Sequence, residues 1–201
     1  MKQNFSYSYT KNIYENMKYS FFDKGNYNLN IFGIRKNETK PNSFDDLICL
    51  AYKVDDKEYM KIYQATTDPG TYWLKNPSNV NGTAILVPGQ YKKAFKIGYH
   101  QGKYEALKQN TKFKVYRDND RNNVLDFNAP IYEGNNFGIN IHRATANDGQ
   151  KSVQVDKWSA GCQVIAAKDD FDEFMNIIRK SAKLYGDVFT YTLFTEQQFF
   201  G

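Results

Sequence analysis

Two residues that could perform covalent catalysis lie in the last third of the sequence. His142 ends the apolar stretch 138–142, and Cys162 follows a short turn twenty positions later. A cysteine thiolate has an ordinary pKa of about 8.5 and becomes accessible near neutral pH when an imidazolium ion or aligned N–H groups stabilise it. The two residues therefore predict a thiol nucleophile with a histidine base.

The turn before the cysteine favours the same chemistry. It reads Trp158-Ser159-Ala160-Gly161-Cys162. The small residues leave the backbone N–H groups of Gly161 and Cys162 unshielded, as an oxyanion hole requires, and one such donor stabilises a transition state by about 3 kcal/mol. We therefore expect these two N–H groups to face a substrate carbonyl.

The order of the catalytic residues excludes two classes of thiol enzyme. Both histidines, His100 and His142, precede Cys162. The papain-like order, cysteine before histidine, is therefore excluded. Caspases have the histidine first, but about 50 residues upstream and with a Q-A-C-x-G nucleophile, and neither feature is present.

The arrangement resembles the L,D-transpeptidase catalytic domain. That family has a histidine on a strand, a loop, and then Ser/Thr-His-Gly-Cys, to which His142 and 159–162 correspond. The stretch 85–91, ILVPGQY, is similar to the family's small-Pro-x-Gly-x-aromatic segment, so the resemblance covers 59–165. It implies a β-sandwich core in which Cys162 attacks a peptide carbonyl and His142 is the base.

The resemblance also implies roles for neighbouring residues. Ser159 would orient the turn, and Arg143 would bind a substrate carboxylate, although a solvated arginine is the alternative. His100 is expected as a second polar wall of the cleft or as an exposed loop residue. Trp158 and Tyr91, which lie in the matched stretches, complete the expected substrate-binding residues.

The implied function is acyl transfer on peptidoglycan stem peptides through a Cys162 thioester, by a peptidase or a transpeptidase without a cofactor. Two positions depart from the family: Ala160 replaces its histidine, and Gln163 follows the cysteine. They motivate an alternative, a catalytically inactive cell-wall-binding or structural virion protein. A third possibility is a thiol enzyme for another amide or thioester in the cytosol.

Composition limits the class of protein and its partners. A chain of 201 residues with 41% apolar and 16% aromatic residues fits one globular domain with an aromatic, β-rich core. The net charge of +5 is spread along the chain, so no nucleic-acid footprint is expected. The expected partner is peptidoglycan or another peptide substrate, and the oligomeric state stays open.

Targeting signals and metal-ligand spacings are not found in the sequence. The first twenty residues are too polar for a secretory signal, and no stretch approaches the roughly 20 apolar residues of a membrane span. Two cysteines and two histidines, all far apart, predict neither a disulfide framework nor a metal site. We expect synthesis in the cytoplasm. Because the chain also resembles uncharacterised bacteriophage proteins, we expect it in a virion or released to act on the cell wall.

The predicted fold is α+β with a β-rich sandwich core. Residues 1–27 show no period and form an arm that either packs on the domain or stays loose, and 28–201 form one L,D-transpeptidase-like domain. A hairpin is expected around Asp55 and Asp56. One helix is predicted from Asp170 to about Tyr185, with a D-x-x-E cap and a buried stripe packed on the sheet.

One polar segment resembles part of a calcium loop. Acidic and amide residues alternate from Asp118 to Asp126. An EF-hand loop requires Gly at its sixth position and a bidentate Glu at its twelfth, where this chain has Asn123 and Ala129. We therefore interpret the segment as a solvated turn between strands.

Overall fold

The structure is a computed structural model that describes residues 4–201. The helices are α1 (Tyr7–Asn16), α2 (Thr71–Lys75), α3 (Lys168–Tyr185) and α4 (Glu196–Phe200). The strands are β1 (Asn30–Arg35), β2 (Asp46–Val54), β3 (Lys57–Thr66), β4 (Thr83–Leu86), β5 (Gly89–His100), β6 (Tyr104–Gln109), β7 (Phe113–Asp118), β8 (Ile131–Gly134), β9 (Ile141–Arg143), β10 (Gln163–Ile165) and β11 (Val188–Thr195).

Eight strands close into a barrel in the order β1-β11-β5-β6-β9-β10-β3-β2. The expected β-rich α+β class is confirmed, but the expected sandwich is wrong. Closure depends on a parallel pairing of β1 with β11, with Ile31 opposite Tyr191, which joins two distant parts of the chain. Large side chains fill the interior, among them Phe95 and Tyr191. Hydrophobic alternation along a strand is the same in a barrel and in a sandwich, so it could not distinguish them.

A second sheet of three strands, β4-β7-β8, extends the core. Leu86 on β4 and Phe113 on β7 belong to the same buried cluster as the barrel interior. The Ala84 carbonyl on β4 faces the backbone at Gly161. The small sheet therefore supports the turn that carries Cys162.

Two predicted elements are found where they were expected. Strands β2 and β3 form a hairpin in which Val54 pairs with Lys57, and Asp55 and Asp56 adopt the positive φ values of 48° and 61° that a two-residue turn needs. Helix α3 buries Phe171, Phe174, Met175 and Ile178 against the barrel and ends at Gly186, which has a φ of 87°.

The start of α3 differs from the prediction. The N-cap is Ala167, which makes no side-chain capping bond, so Asp170 lies within the first turn. The Glu173 carboxylate accepts hydrogen bonds from Lys61 Nζ at 2.5 Å and from the Tyr63 hydroxyl at 3.1 Å. It therefore ties the helix to β3 instead of completing a capping box.

The N-terminal segment contains a helix that its sequence pattern does not reveal. Helix α1 begins after Ser6, whose hydroxyl accepts from the Tyr9 N–H at 3.0 Å. Tyr7 and Tyr14 are buried with Phe32 on the outer face of the barrel. Within residues 4–201, every helix is too short or too polar to cross a membrane.

Candidate active site

Strands β9 and β10 carry the two predicted catalytic residues. They pair in parallel, with Ile141 opposite Gln163 and His142 opposite Val164. Ile141 and Ile165 belong to the barrel core, whereas Val164 and Cys162 belong to a separate cluster outside it. Because side chains alternate along a strand, His142 and Cys162 lie on the outer face of the barrel, on neighbouring chain segments.

The Cys162 thiol is held between two backbone groups. It donates to the Gly138 carbonyl at 3.5 Å and accepts from the Asn140 N–H at 3.4 Å. The residue is partly buried. Burial raises the pKa of the thiol to about 11, and the Asn140 N–H acts in the opposite direction. The group is therefore a neutral thiol at pH 7 in this arrangement.

The turn before Cys162 is fixed by a serine and a glycine. The Ser159 hydroxyl donates to the Cys162 carbonyl at 2.8 Å and accepts from the Gly161 N–H at 3.1 Å. Gly161 has a φ of 118°, and a Cβ there would clash with the Ala84 carbonyl oxygen. Only glycine fits this position, which places the cysteine on a rigid support.

One part of the expected oxyanion hole is not available. The Gly161 N–H is buried and already donates to Ser159 Oγ, so it does not face a substrate as the sequence predicted. A hydroxyl two residues upstream can cap such a turn, as Ser and Thr side chains often do. Of the two N–H groups expected to form the oxyanion hole, only that of Gly161 is bonded to Ser159. The N–H of Cys162 is the remaining candidate donor.

His142 is 2% exposed and has a defined tautomer. Its Nδ1 lies 2.9 Å from the Arg143 carbonyl, which can only accept, so Nδ1 carries the proton. The Tyr104 hydroxyl lies 3.3 Å from the same nitrogen. Nε2 is buried without a hydrogen-bond partner in the described part of the chain. Burial lowers the pKa of the ring to about 3, and His100 adds to this effect, so the imidazole is a neutral acceptor at pH 7.

A second histidine connects the imidazole to the cysteine segment. The rings of His100 and His142 stack with their centroids 4.0 Å apart. The Asn140 side-chain amide lies 3.1 Å from His100 Nδ1, and the Asn140 backbone N–H donates to the cysteine sulfur. Within residues 4–201, no hydrogen bond joins His142 Nε2 to Cys162 Sγ. The two groups are neighbours on one surface without being bonded.

A cavity of about 490 Å³ opens beside the two histidines. The charged residues that line it, Lys103, Arg143 and Lys157, are all cations. The Arg143 guanidinium lies 4.2 Å from the centroid of the Tyr104 ring. Trp158, 47% exposed, forms part of the wall. This composition favours a ligand with a carboxylate and an apolar group.

The remaining predicted residues divide into two groups. His100, Arg143 and Trp158 line the cavity with His142. Tyr91 does not: its hydroxyl donates to the Val87 carbonyl at 2.6 Å, and its ring packs on Phe113, so it belongs to the core. Its expected substrate-binding role has no support from its position.

Sequence reasoning missed two residues of this site. Asn140 stands two positions before His142, so strand alternation alone would have placed both on one face. Tyr104 pairs with His100 across a tight turn, and the short spacing in GYHQGKY is the signal that would have indicated it. Both contact histidine rings.

Three exposed aspartates lie close enough together to form a metal-binding group. Asp148, Asp169 and Asp172 have oxygens within 4.8 Å of one another. Lys168 already pairs with Asp148 at 2.7 Å and with Asp172 at 2.5 Å. The ammonium group therefore pairs with two of the three carboxylates and offsets one of their three charges.

Comparison of the chain with protein-family models, with curated proteins and with solved structures finds no match.

Proposed function

We propose that this protein is a cysteine-dependent acyl-transfer enzyme, similar to L,D-transpeptidases, that acts on peptidoglycan stem peptides. The observation that carries the proposal is the position of Cys162: its partly buried sulfur stands on a rigid turn just before β10, and His142, on the paired strand β9, lines a cavity whose charged residues are all cations. Nucleophilic catalysis requires a fixed nucleophile, a base that can reach it and space for a substrate carbonyl.

The proposed reaction has two stages. The sulfur of Cys162 bonds to the substrate carbonyl carbon while His142 Nε2 takes the thiol proton, and the Cys162 N–H stabilises the oxyanion. The C–N bond then breaks, His142 returns the proton to the leaving amine, and a thioester results. Water releases a free acid, or an amine releases a new amide, and the thiol is restored.

Before substrate binds, the Cys162 thiol and the His142 imidazole are both uncharged. The pKa of Cys162 is raised to about 11 and that of His142 is lowered to about 3, so a thiolate–imidazolium pair is not formed before substrate binds. In the proposal, substrate displaces the thiol from the Gly138 carbonyl and turns it towards Nε2. Proton transfer then accompanies carbon–sulfur bond formation, as in general base catalysis.

The charges of the cavity support a substrate with a free carboxylate. Arg143 donates to the Thr145 carbonyl at 2.8 Å, and this bond and the Tyr104 ring hold its guanidinium in place. A guanidinium fixed in this way is suited to a carboxylate. We expect Arg143→Gln to raise KM for an acidic stem peptide and to have a smaller effect on the same peptide amidated at its carboxylates.

Peptidoglycan would be reached from a virion or after release from the cell in which the chain is made. This part of the proposal rests on the resemblance to bacteriophage proteins. Particles purified from a producing culture should contain the chain if the virion route applies.

The decisive experiment is incubation of the purified chain with defined muropeptides, followed by mass spectrometry. We expect loss of a residue or a joined pair of stems, together with an acyl adduct on Cys162. Cys162→Ala should abolish product, whereas Cys49→Ala, which alters the other, fully buried cysteine, should retain it. Unchanged muropeptides and no adduct would contradict the proposal.

A second candidate function is a wall-binding or structural protein with an inactive site. It is favoured by the unbonded His142 Nε2 and by Ala160, which leaves no imidazole beside Gly161. This candidate predicts that the wild type and Cys162→Ala bind isolated cell walls equally and that neither changes them.

A further inference from the structure

The loop between β7 and β8 contains a buried carboxylate oxygen without a partner. Asp118, the last residue of β7, is 1% exposed. Its Oδ2 accepts from the Asp126 N–H at 3.0 Å, but its Oδ1 is buried and has no hydrogen-bond partner in the described part of the chain. A buried oxygen in this state is costly unless a ligand satisfies it.

Two further carboxylates lie near the Asp118 side chain. The Asp120 carboxylate lies within hydrogen-bonding distance of the Asp118 carboxylate, and Asp126 adds a third negative charge nearby. Two carboxylates at that distance repel each other unless a proton or a cation lies between them. The Asp118 carboxylate therefore lies in a region of negative charge that attracts a cation.

The arginines next to these carboxylates do not neutralise them. Arg117 donates to the Gly82 carbonyl at 2.8 Å, and its guanidinium lies 5.0 Å from the centroid of the Phe137 ring. Arg121 is exposed and makes no hydrogen bond or ion pair with residues 4–201. A cation from solution could therefore balance the charge of the Asp118, Asp120 and Asp126 carboxylates.

The backbone of the loop removes one objection to a calcium site. Asp118, Asp120, Asn122 and Asp126 occupy the first, third, fifth and ninth positions of an EF-hand-type loop. The sixth position needs the conformation that glycine provides, and Asn123 there has a φ of 68°. Asparagine is among the few residues that adopt this conformation readily.

We propose that residues 118–126 form a Ca²⁺ site, separate from the proposed enzymatic function, with Asp118 and Asp120 as its main carboxylate ligands. Ca²⁺ accepts six to eight oxygens in flexible geometry and can complete its shell with water, whereas Mg²⁺ demands a near-ideal octahedron. Because Ala129 takes the place of the bidentate Glu, we expect weak binding, with a Kd of about 0.1–1 mM, as in extracellular calcium modules.

The test is isothermal titration of the purified full chain with CaCl₂, in parallel with thermal unfolding. We expect one saturable site, an increase in Tm with calcium concentration, and at least about tenfold weaker binding of Mg²⁺. Asp120→Asn should weaken Ca²⁺ binding by about tenfold or more, since it removes a charged ligand. Asp120 is exposed, so this variant is expected to fold, and Asp118→Asn is not needed for the test.

Two control variants locate the binding. Asp56→Asn makes the same charge change in the exposed β2–β3 turn, and Asp169→Asn makes it in the acidic group around Lys168. Both should bind Ca²⁺ like the wild type. The proposal is overturned if no saturable binding occurs up to about 10 mM Ca²⁺, or if Asp120→Asn binds as tightly as the wild type.

Discussion

The imidazole rings of His100 and His142 stack with centroids 4.0 Å apart and planes inclined by 21°. Burial is the main cause that lowers the pKa of each ring, and the cations Lys103 and Lys108 lower that of His100 further. Two protonated rings at this distance would repel each other, so the stack disfavours a charge on both rings. Burial and this contact together lower the pKa of His142 and keep it in the acceptor form that the proposed mechanism uses.

The burial of His142 should make the fold sensitive to acid. The pKa of His142 is about 3 in the folded chain against an ordinary 6.5, so the unfolded state binds more protons between these values. Stability is full above pH 6.5 and is lost as the pH falls towards 3. Between pH 7 and 4.5 we expect His142 to account for about 2.5 kcal/mol of lost unfolding free energy.

Urea unfolding at the two pH values measures this loss. His142→Gln removes the titration, so its unfolding free energy should fall less than that of the wild type. Equal losses in the two proteins would show that the ring titrates normally in the folded chain.

The reactivity of the cysteines should follow their burial. Cys162 is partly buried with its pKa raised to about 11, whereas Cys49 is 0% exposed and has its pKa raised well above the usual range by burial. Iodoacetamide should therefore label Cys162 before Cys49, with a rate that climbs about tenfold per pH unit from pH 7 to 10. Peptide mass mapping over time gives both rates.

Two results bear on this prediction. Cys162→Ala should leave only the slow labelling of Cys49. A Cys162 rate that reaches a plateau near pH 8 would instead indicate a thiolate already activated by His142.

The sequence predicts those parts of the fold that depend on local patterns. Helix α3 follows from apolar residues spaced three and four apart, and the β2–β3 hairpin follows from two acidic residues between alternating strands. The closed barrel could not be predicted, because the β1–β11 pairing joins segments about 160 residues apart and leaves no mark in either strand. Helix α1 was missed because the buried Tyr7 and Tyr14 lie among polar residues.

The candidate active site likewise depends on contacts that local sequence patterns do not determine. Cys162 and His142 lie on neighbouring segments because β9 and β10 pair in parallel, an arrangement that no local sequence pattern contains. The Gly161 N–H donates to Ser159 Oγ instead of facing a substrate. This bond depends on the exact conformation of the turn, which the residue types do not determine. The core position of Tyr91 could not be predicted, because a Tyr in a matched stretch can face either the core or a cleft.

Gly161 offers a test of the rigid turn. Gly161→Ala would combine an unfavourable φ of 118° with a clash against the Ala84 carbonyl. Gly102→Ala is a matched control, because Gly102 has a φ of 71° but open space where a Cβ would be. We expect the control to cost about 1 kcal/mol, and Gly161→Ala to cost at least about 1 kcal/mol more.

Chemical unfolding of the two variants measures the difference. Gly161→Ala should also change the rate at which Cys162 is labelled, since the turn would have to shift, whereas Gly102→Ala should leave it unchanged. Equal unfolding free energies and equal labelling rates would show that the turn accommodates a side chain.

Arg35, the last residue of β1, connects a group of buried polar residues. This residue is 2% exposed, approaches Asp68 to 2.7 Å, and donates to the carbonyls of Leu86 and Thr67 at 2.7 and 2.8 Å. The Thr67 carbonyl also accepts from Gln163 Nε2 at 3.3 Å, which connects this group to the residue after Cys162. Removing the guanidinium would leave Asp68 buried without its counter-charge.

We therefore expect Arg35→Met to lower the unfolding free energy by about 3–5 kcal/mol, the cost of breaking a buried ion pair. The matched control is Arg179→Ala, which removes a surface ion pair with Glu105 and should cost about 1 kcal/mol or less. Urea unfolding at pH 7 measures both. Comparable losses in the two variants would mean that Arg35 contributes no more than a surface arginine, because its desolvation offsets its contacts.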